Sequence, residues 1–297
     1  MHQIISIIVL AVVQGLAELL PVSSSAHVIV AAKLLGLPRM SEPQMTLVLV
    51  LLHTGTMFAV ILYFWRSWQE SIFASREVFR RQAVRLVTAT LLTGVVGAPL
   101  MWGVPRILGI EKAEVEGLFD RLDLVAAALA AVGLLILVAG LARTSKPVAP
   151  GTGKPVAPAA DRPLGIGAAA WIGAVQGLCL PFRGFSRSGA TISTGLLLGA
   201  AKAEVEQFSF ALAVIITPPA IAREVWRVIK KTHETGNTAA TWSLFGPGLL
   251  GMVCAFLAGL LALRWLSRWL EGGRWYLFGV YCLLAGAAVF ALHCSGY

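Results

Sequence analysis

Val13-Gln14-Gly15-Leu16, then Leu20-Pro21 and Ser23-Ser24-Ser25-Ala26-His27, breaks an apolar run near the start of the chain. Val175-Gln176-Gly177-Leu178, then Leu180-Pro181 and Ser186-Arg187-Ser188-Gly189, breaks a second run in the other half. The two breaks share their order of residue types, so the chain contains an internal repeat. Each leaves a pair of short apolar pieces, 4–20 with 22–37 and 164–182 with 189–201. A helix rises about 1.5 Å per residue and the hydrocarbon core is about 30 Å thick, so such pieces are short for spans. Paired short segments with Pro, Gly and Ser between them are expected to be re-entrant helical hairpins. Their non-helical tips are tolerated only inside protein or facing a water-filled cavity.

Three further apolar runs follow each hairpin: 45–65, 86–104 and 122–142 in the first half, 208–222, 244–263 and 275–293 in the second. They do not alternate like strands and exceed the ~10 residues of a barrel strand, so transmembrane helices are expected. The run 208–222 is the shortest for a span. Composition agrees. Of 297 residues, 57% are hydrophobic and 13% charged, with a mean hydropathy of +0.79. Soluble globular chains carry about 25% charged residues. An ordinary soluble enzyme, a disordered regulator and a disulfide scaffold are thereby excluded. The expected fold class is an all-α integral membrane protein built as an inverted-topology repeat. Residues 1–142 form the first repeat and 164–297 the second. Between them, 143–163 is a Pro-rich connector with Lys-Pro-Val-Ala-Pro at 146–150 and 154–158. Three spans is an odd number, so the second half starts on the opposite side of the membrane. Two hairpins entering from opposite faces can meet at their tips near the midplane, as in many transporters.

The net charge of +9 is first a topology signal. Loops 66–85, 143–163, 202–207 and 264–274 carry thirteen Lys and Arg, against nine on the other side, which places the first set in the cytoplasm and both termini outside. The cluster Arg76, Arg80, Arg81 and Arg85 reads as an orientation anchor near anionic lipid. No basic face is continuous, so nucleic acid is not an expected partner. Cys179, Cys254, Cys282 and Cys294 lack CxxC spacing and read as small buried hydrophobes. The first apolar run has no Lys or Arg before it and carries Glu18, so it reads as part of the mature protein rather than a signal peptide.

Near the breaks the charged side chains are Glu18, Arg183 and Arg187. An ionisable group at membrane depth is expensive and is a functional candidate by default. The plainer alternative is a Glu18–Arg187 ion pair that only holds the halves together. Gln14 and Glu18, four apart, share a helix face. A carboxylate beside an amide oxygen can hold a hard cation, activate water or orient a hydroxyl. Ser23, Ser24 and Ser25 open a helix expected over 24–37. Ser186 to Gly189 open its counterpart, with Arg187 at the start. Helix N-termini cradle anions, and a guanidinium suits two phosphate oxygens at once. Capping is the simpler role for these serines. His27 follows the serine tract closely enough to take part in chemistry. His53, near the start of a span, reads first as structural, and His2, His233 and His293 as peripheral.

Gln14-Gly15-Leu16-Ala17-Glu18-Leu19-Leu20-Pro21-Val22-Ser23-Ser24-Ser25-Ala26-His27 resembles the first signature of the undecaprenyl pyrophosphate phosphatases of the bacitracin-resistance type. Gly184-Phe185-Ser186-Arg187-Ser188-Gly189-Ala190-Thr191 resembles their second. Similarity extends from Leu198-Gly199 through Phe208-Ser209-Phe210 and covers nearly the whole chain. Ala26 stands where Gly is usual, Arg183 where Pro is usual, and Gln14 is an accepted variant of an acidic position. The resemblance implies hydrolysis of undecaprenyl diphosphate to the monophosphate, recycling the lipid carrier of peptidoglycan synthesis. It implies a multi-pass protein of the bacterial inner membrane, an active site facing the periplasm, and a divalent cation (Mg2+ or Ca2+) at Glu18 and Gln14. The expected catalytic residues are Glu18, Ser24, His27, Ser186 and Arg187. Gln14, Ser23, Ser25, Arg183, Gly184, Ser188, Gly189 and Thr191 are expected to bind substrate. The nucleophile stays open among Ser24, Ser186, His27 and a water. The expected partners are a polyprenyl diphosphate and membrane lipids, with a homodimer allowed. The alternative function is a flippase for a polyprenyl phosphate, which broken helices in an inverted repeat would also serve.

Overall fold

The computed structural model describes residues 2–37, 43–107, 121–144, 163–236 and 238–295. The connector expected at 143–163 lies almost wholly outside the described residues. The helices are α1 His2–Leu19, α2 Ser24–Leu34, α3 Pro43–Ser71, α4 Arg76–Ile107, α5 Leu122–Thr144, α6 Ile166–Cys179, α7 Arg187–Leu197, α8 Lys202–Thr235, α9 Thr238–Trp242, α10 Phe245–Glu271 and α11 Tyr276–Cys294. Six of them, α3, α4, α5, α8, α10 and α11, are long and apolar enough to cross a membrane. The chain is an all-α integral membrane protein. Of the other five helices, α1 pairs with α2 and α6 with α7, where the two broken runs lie.

Several boundaries differ from the apolar runs, for identifiable reasons. The run 208–222 is only the middle of α8, whose 34 residues begin at Lys202 and end at Thr235. Its flanks are charged but helix-forming, with ion pairs from Arg227 to Glu224 at 3.2 Å and from Lys230 to Glu234 at 3.8 Å. Such i,i+3 and i,i+4 pairs extend a helix past the point where hydropathy falls. Pro218 and Pro219 lie inside it. The helix expected over 24–37 stops at Leu34, because Gly36 takes φ 63° and Leu37 N–H returns to the Ala32 carbonyl at 3.0 Å. The piece 189–201 instead opens at Arg187 and stops at Leu197. Gly199 takes φ 84° and Ala200 N–H returns to Gly195 at 3.1 Å. Both hairpins thus end in the same glycine-terminated turn, a further trace of the repeat.

The chain divides into two compact units that do not coincide with the sequence halves. One comprises Met1–Trp65 and Ala213–Trp265, the other Arg66–Leu212 and Leu266–Tyr297. In the first unit, Ile7, Leu10 and Ala11 of α1 and Val28 and Ala32 of α2 share a core with Met45, Val48 and Leu52 of α3 and Ala255 of α10. Gly15 lets α1 and α10 approach; a Cβ there would lie 2.6 Å from the Ala255 carbonyl oxygen. In the second unit, α6 lies directly on α4. A Cβ on Gly173 would strike the Ala89 backbone, and the Thr93 hydroxyl, at 2.9 Å from both the Ala89 and Gly173 carbonyls, ties the two helices together. Each hairpin is therefore seated on longer helices of its own unit, which fixes the height of its tip.

Candidate active site

In the first unit the hairpin tip gathers polar groups around one carboxylate. Gln14 and Glu18 sit one turn apart near the end of α1, and Gln14 Nε2 donates to Glu18 Oε2 at 3.1 Å. The chain then turns through Pro21, and Ser24 at the start of α2 donates its hydroxyl to the same Oε2. From α3, His53 Nε2 lies 3.6 Å from that oxygen. Gln14 is almost wholly buried, with 1% exposure. A carboxylate at membrane depth costs free energy unless it is hydrogen-bonded, and here two side chains donate to it.

The turn itself is held in an unusual conformation. Ser23 has φ 69° and ψ 95° and is the single non-glycine at positive φ among the described residues. A side chain in this region costs of order 1–3 kcal/mol and persists only where surrounding contacts dictate it. One consequence overturns the capping role expected of the first serine tract: Ser23 makes no side-chain cap bond to α2. Its Oγ lies instead 3.2 Å from Ser25 Oγ. Its carbonyl receives His27 Nδ1 at 2.8 Å. A carbonyl can only accept, so Nδ1 carries the hydrogen. His27 thereby braces the turn that presents Ser24.

The second hairpin tip is organised differently. Gly184 takes φ 101°, and a Cβ there would lie 2.5 Å from the Val125 carbonyl oxygen, so this turn accepts only glycine without displacement of α5. Ser186 caps α7 as expected, its Oγ accepting from Gly189 N–H at 3.2 Å. Ser188 Oγ lies 3.3 Å from Ser186 Oγ. Thr191 donates to the Arg187 carbonyl at 2.8 Å, which turns its hydroxyl back onto the helix. Arg183 and Arg187 are half-buried, one in the turn and the other at the first position of α7. Gln176, the counterpart of Gln14, has no carboxylate one turn later, where Leu180 stands. Its Nε2 donates to Thr93 Oγ1 at 3.3 Å.

Of the expected site residues, the structure brings Gln14, Glu18 and Ser24 into one hydrogen-bonded group, with Ser23, Ser25 and His27 forming its turn. Ser186, Ser188, Gly189, Thr191 and the two arginines form the second tip. His53 was read first as structural, yet it faces Glu18. Its sequence signal is an ionisable ring one helix away in an otherwise apolar run, and sequence spacing cannot show which helix it meets. Of the four cysteines, Cys179 and Cys282 are buried as expected, whereas Cys254 is half-buried and Cys294 exposed.

The chain matches the family model for bacitracin resistance protein BacA over residues 7–288. It is 49% identical over 293 residues to undecaprenyl-diphosphatase 2 of Acinetobacter baylyi, which covers 97% of this chain and 98% of that protein. It is 33% identical to the undecaprenyl-diphosphatase of Rhodopirellula baltica, covering 99% of each chain. It is 34% identical to that of Thermus thermophilus, covering 96% of this chain and 95% of the relative.

Proposed function

The chain belongs to the BacA family of bacitracin resistance proteins, and on that premise we propose that it hydrolyses undecaprenyl diphosphate to undecaprenyl phosphate and inorganic phosphate. The observation that carries the mechanism is the hydrogen bond from the Ser24 hydroxyl to Glu18 Oε2. A serine is a weak nucleophile until an adjacent base takes its proton. Glu18 is that base in the proposed reaction. Ser24 Oγ attacks the terminal phosphorus, its proton passes to Glu18, and undecaprenyl phosphate leaves with the electrons of the broken P–O bond. Water then attacks the phosphoserine, releasing phosphate and restoring both side chains. Ser186 does not fit this role equally, because its oxygen already serves the cap of α7.

The N-termini of α2 and α7, and Arg187, each offer donors of the kind that bind phosphate oxygens and stabilise developing charge. A guanidinium matches two such oxygens at once. Among the described residues no group of three His, Cys, Asp or Glu could hold a metal. The donor set fits a different mode, in which Mg2+ takes one or two carboxylates, water and substrate phosphates. Glu18 and the Gln14 amide would hold such an ion, which would offset phosphate charge when bound. The substrate pairs a long apolar tail with a polyanionic head, and a polar hairpin in a lipid-facing fold suits both. The Lys and Arg bias favours placing the first hairpin on the periplasmic side of the inner membrane.

The test is phosphate release from undecaprenyl diphosphate by purified protein in detergent. Hydrolysis needs no separate compartments, whereas a flippase shows its activity only across a bilayer. Release at enzymatic rates is the expected result, and an inert, folded protein would overturn the proposal.

A further inference from the structure

We infer that the turn between α3 and α4 carries a headgroup site for anionic phospholipid, formed by Arg76 and Arg80 beside the stacked rings of Phe73 and Phe79. Of the arginines that crowd the start of α4, Arg81 pairs with Glu77 at 3.1 Å and Arg85 with Glu204 at 3.2 Å. Among the described residues no acidic side chain pairs with Arg76 or Arg80, and both are exposed. They stand one turn apart on the same side of the helix. The Phe73 and Phe79 rings stack with their centroids 5.8 Å apart and 23° between their planes. They are 53% and 47% exposed, so the protein leaves the pair largely uncovered. The turn that presents these groups is firmly made. Phe73 N–H returns to the Trp68 carbonyl at 2.9 Å, and Val78 N–H donates to Ser75 Oγ at 3.2 Å. Ser71 donates to Gln207 Oε1 of α8 at 2.8 Å, which ties the end of α3 down.

The occupant follows from the rest of α4. Steps of three or four residues from Arg80 lead to Val84, Val87, Leu91 and Val95, all exposed. These share one side of a spanning helix and form a lipid-facing apolar stripe. The arginine pair stands at the end of that stripe, where the headgroups of lipids lying against it are found. At the far end, the Arg106 guanidinium lies 3.2 Å from the centroid of the exposed Trp102 ring. Tryptophan favours the membrane interface. From Phe79 to Trp102 the helix rises about 35 Å, against about 30 Å of hydrocarbon, so both aromatic ends reach an interface. Phenylalanine rings settle at the boundary between headgroups and acyl chains, and the unpaired guanidinium groups then face the phosphates. A lipid of net negative charge, such as phosphatidylglycerol, complements them better than phosphatidylcholine, whose choline offsets its phosphate. Each such cation strengthens attraction to an anionic lipid surface about fivefold, so the pair contributes about 30-fold. The site draws nothing from the chemistry at Glu18.

The test is the thermal unfolding of the full chain in nonionic detergent with increasing dioleoylphosphatidylglycerol, and in parallel with dioleoylphosphatidylcholine and with inorganic phosphate. The wild type is expected to gain more melting temperature from phosphatidylglycerol than from phosphatidylcholine, because a ligand of the folded state raises its stability. In Arg76→Gln/Arg80→Gln the phosphatidylglycerol concentration that gives half of this gain is expected to rise about 30-fold. Its melting temperature without lipid and its phosphate release in detergent are expected to match the wild type. Raising NaCl from about 0.05 M to about 0.5 M should also raise the wild-type half-point, since screening weakens an exposed charge contact. The same half-point in wild type and variant would overturn the inference. Equal gains from the two lipids would overturn it and point to an acidic protein as the partner instead. An arginine-dependent gain of the same size from inorganic phosphate would make this a free-anion site and overturn the lipid assignment. Should the glutamine pair fail to fold, the salt series on the wild type decides, and a half-point indifferent to salt overturns the inference.

Discussion

Ser24 is the first residue of α2 and Ser186 is the cap of α7, and their hydroxyls do different work: one donates to a carboxylate, the other accepts from a backbone amide. Ser24→Ala is therefore expected to remove nearly all phosphate release, because the nucleophile is lost. Ser186→Ala is expected to cost about 1 kcal/mol of stability through the missing cap, with a correspondingly small effect on rate. Comparable activity in the two variants would contradict the assignment of Ser24. Arg187→Lys keeps the charge and loses the fork. Its turnover is expected to fall by orders of magnitude with a smaller change in KM, since the lipid tail still supplies binding, while its melting temperature stays near that of the wild type. Arg183→Lys, measured beside it, is expected to be milder. A stable and fully active Arg187→Lys would remove Arg187 from the chemistry. At this scale the sequence was partly legible. The spacing of Gln14 and Glu18 implied a shared face, and the hydrogen bond between them follows from it. The left-handed backbone of Ser23 was not legible, since serine has no preference for that region and only the surrounding contacts impose it. Nor was the partner of His53, which depends on how α3 lies against α1.

The two hairpins are clear in the sequence because Pro, Gly and Ser interrupt apolar runs at matching places. Their ends are not, because hydropathy reports which residues prefer lipid and not where backbone bonding stops. Lys202 and Glu204 are polar yet open α8, and Glu204 has a definite task there. Its carboxylate receives Arg85 at 3.2 Å and the Leu164 N–H at 2.8 Å, joining α4 to the residue that leads into α6. The asymmetry of the repeat also belongs to this scale. Gln14 serves a carboxylate, while Gln176 is spent on Thr93 and locks α6 to α4. Thr93→Val keeps the side-chain shape and removes that hydroxyl, taking away the acceptor of the buried Gln176 amide and the tie to the Gly173 carbonyl. The expected loss is about 1–3 kcal/mol, read as a lower melting temperature, with turnover per folded molecule largely retained. An unchanged melting temperature would show that the α4–α6 lock does not hold the hairpin.

For the whole molecule, composition alone excluded a soluble fold, and among the described residues six helices have spanning length and composition. The division into two units was not legible, because it depends on which helices pack together and not on which half of the chain supplies them. The count of spans and the Lys and Arg bias make a topological expectation. With Cys179, Cys254 and Cys282 replaced, Cys294 is expected to react with an impermeant thiol reagent from the periplasmic side. An Arg76→Cys variant also lacking Cys294 should react only from the cytoplasmic side. The reverse pattern would invert the orientation and move the first hairpin's opening to the cytoplasm. The central claim is that this membrane protein is a phosphatase whose reaction depends on the Glu18 carboxylate, and one side-by-side measurement reaches it most directly. Phosphate release from undecaprenyl diphosphate in detergent is followed for the wild type and for Glu18→Gln, each shown to be folded by its melting transition. The account expects steady hydrolysis by the wild type and none above background by Glu18→Gln; near-normal turnover by a folded Glu18→Gln would contradict it.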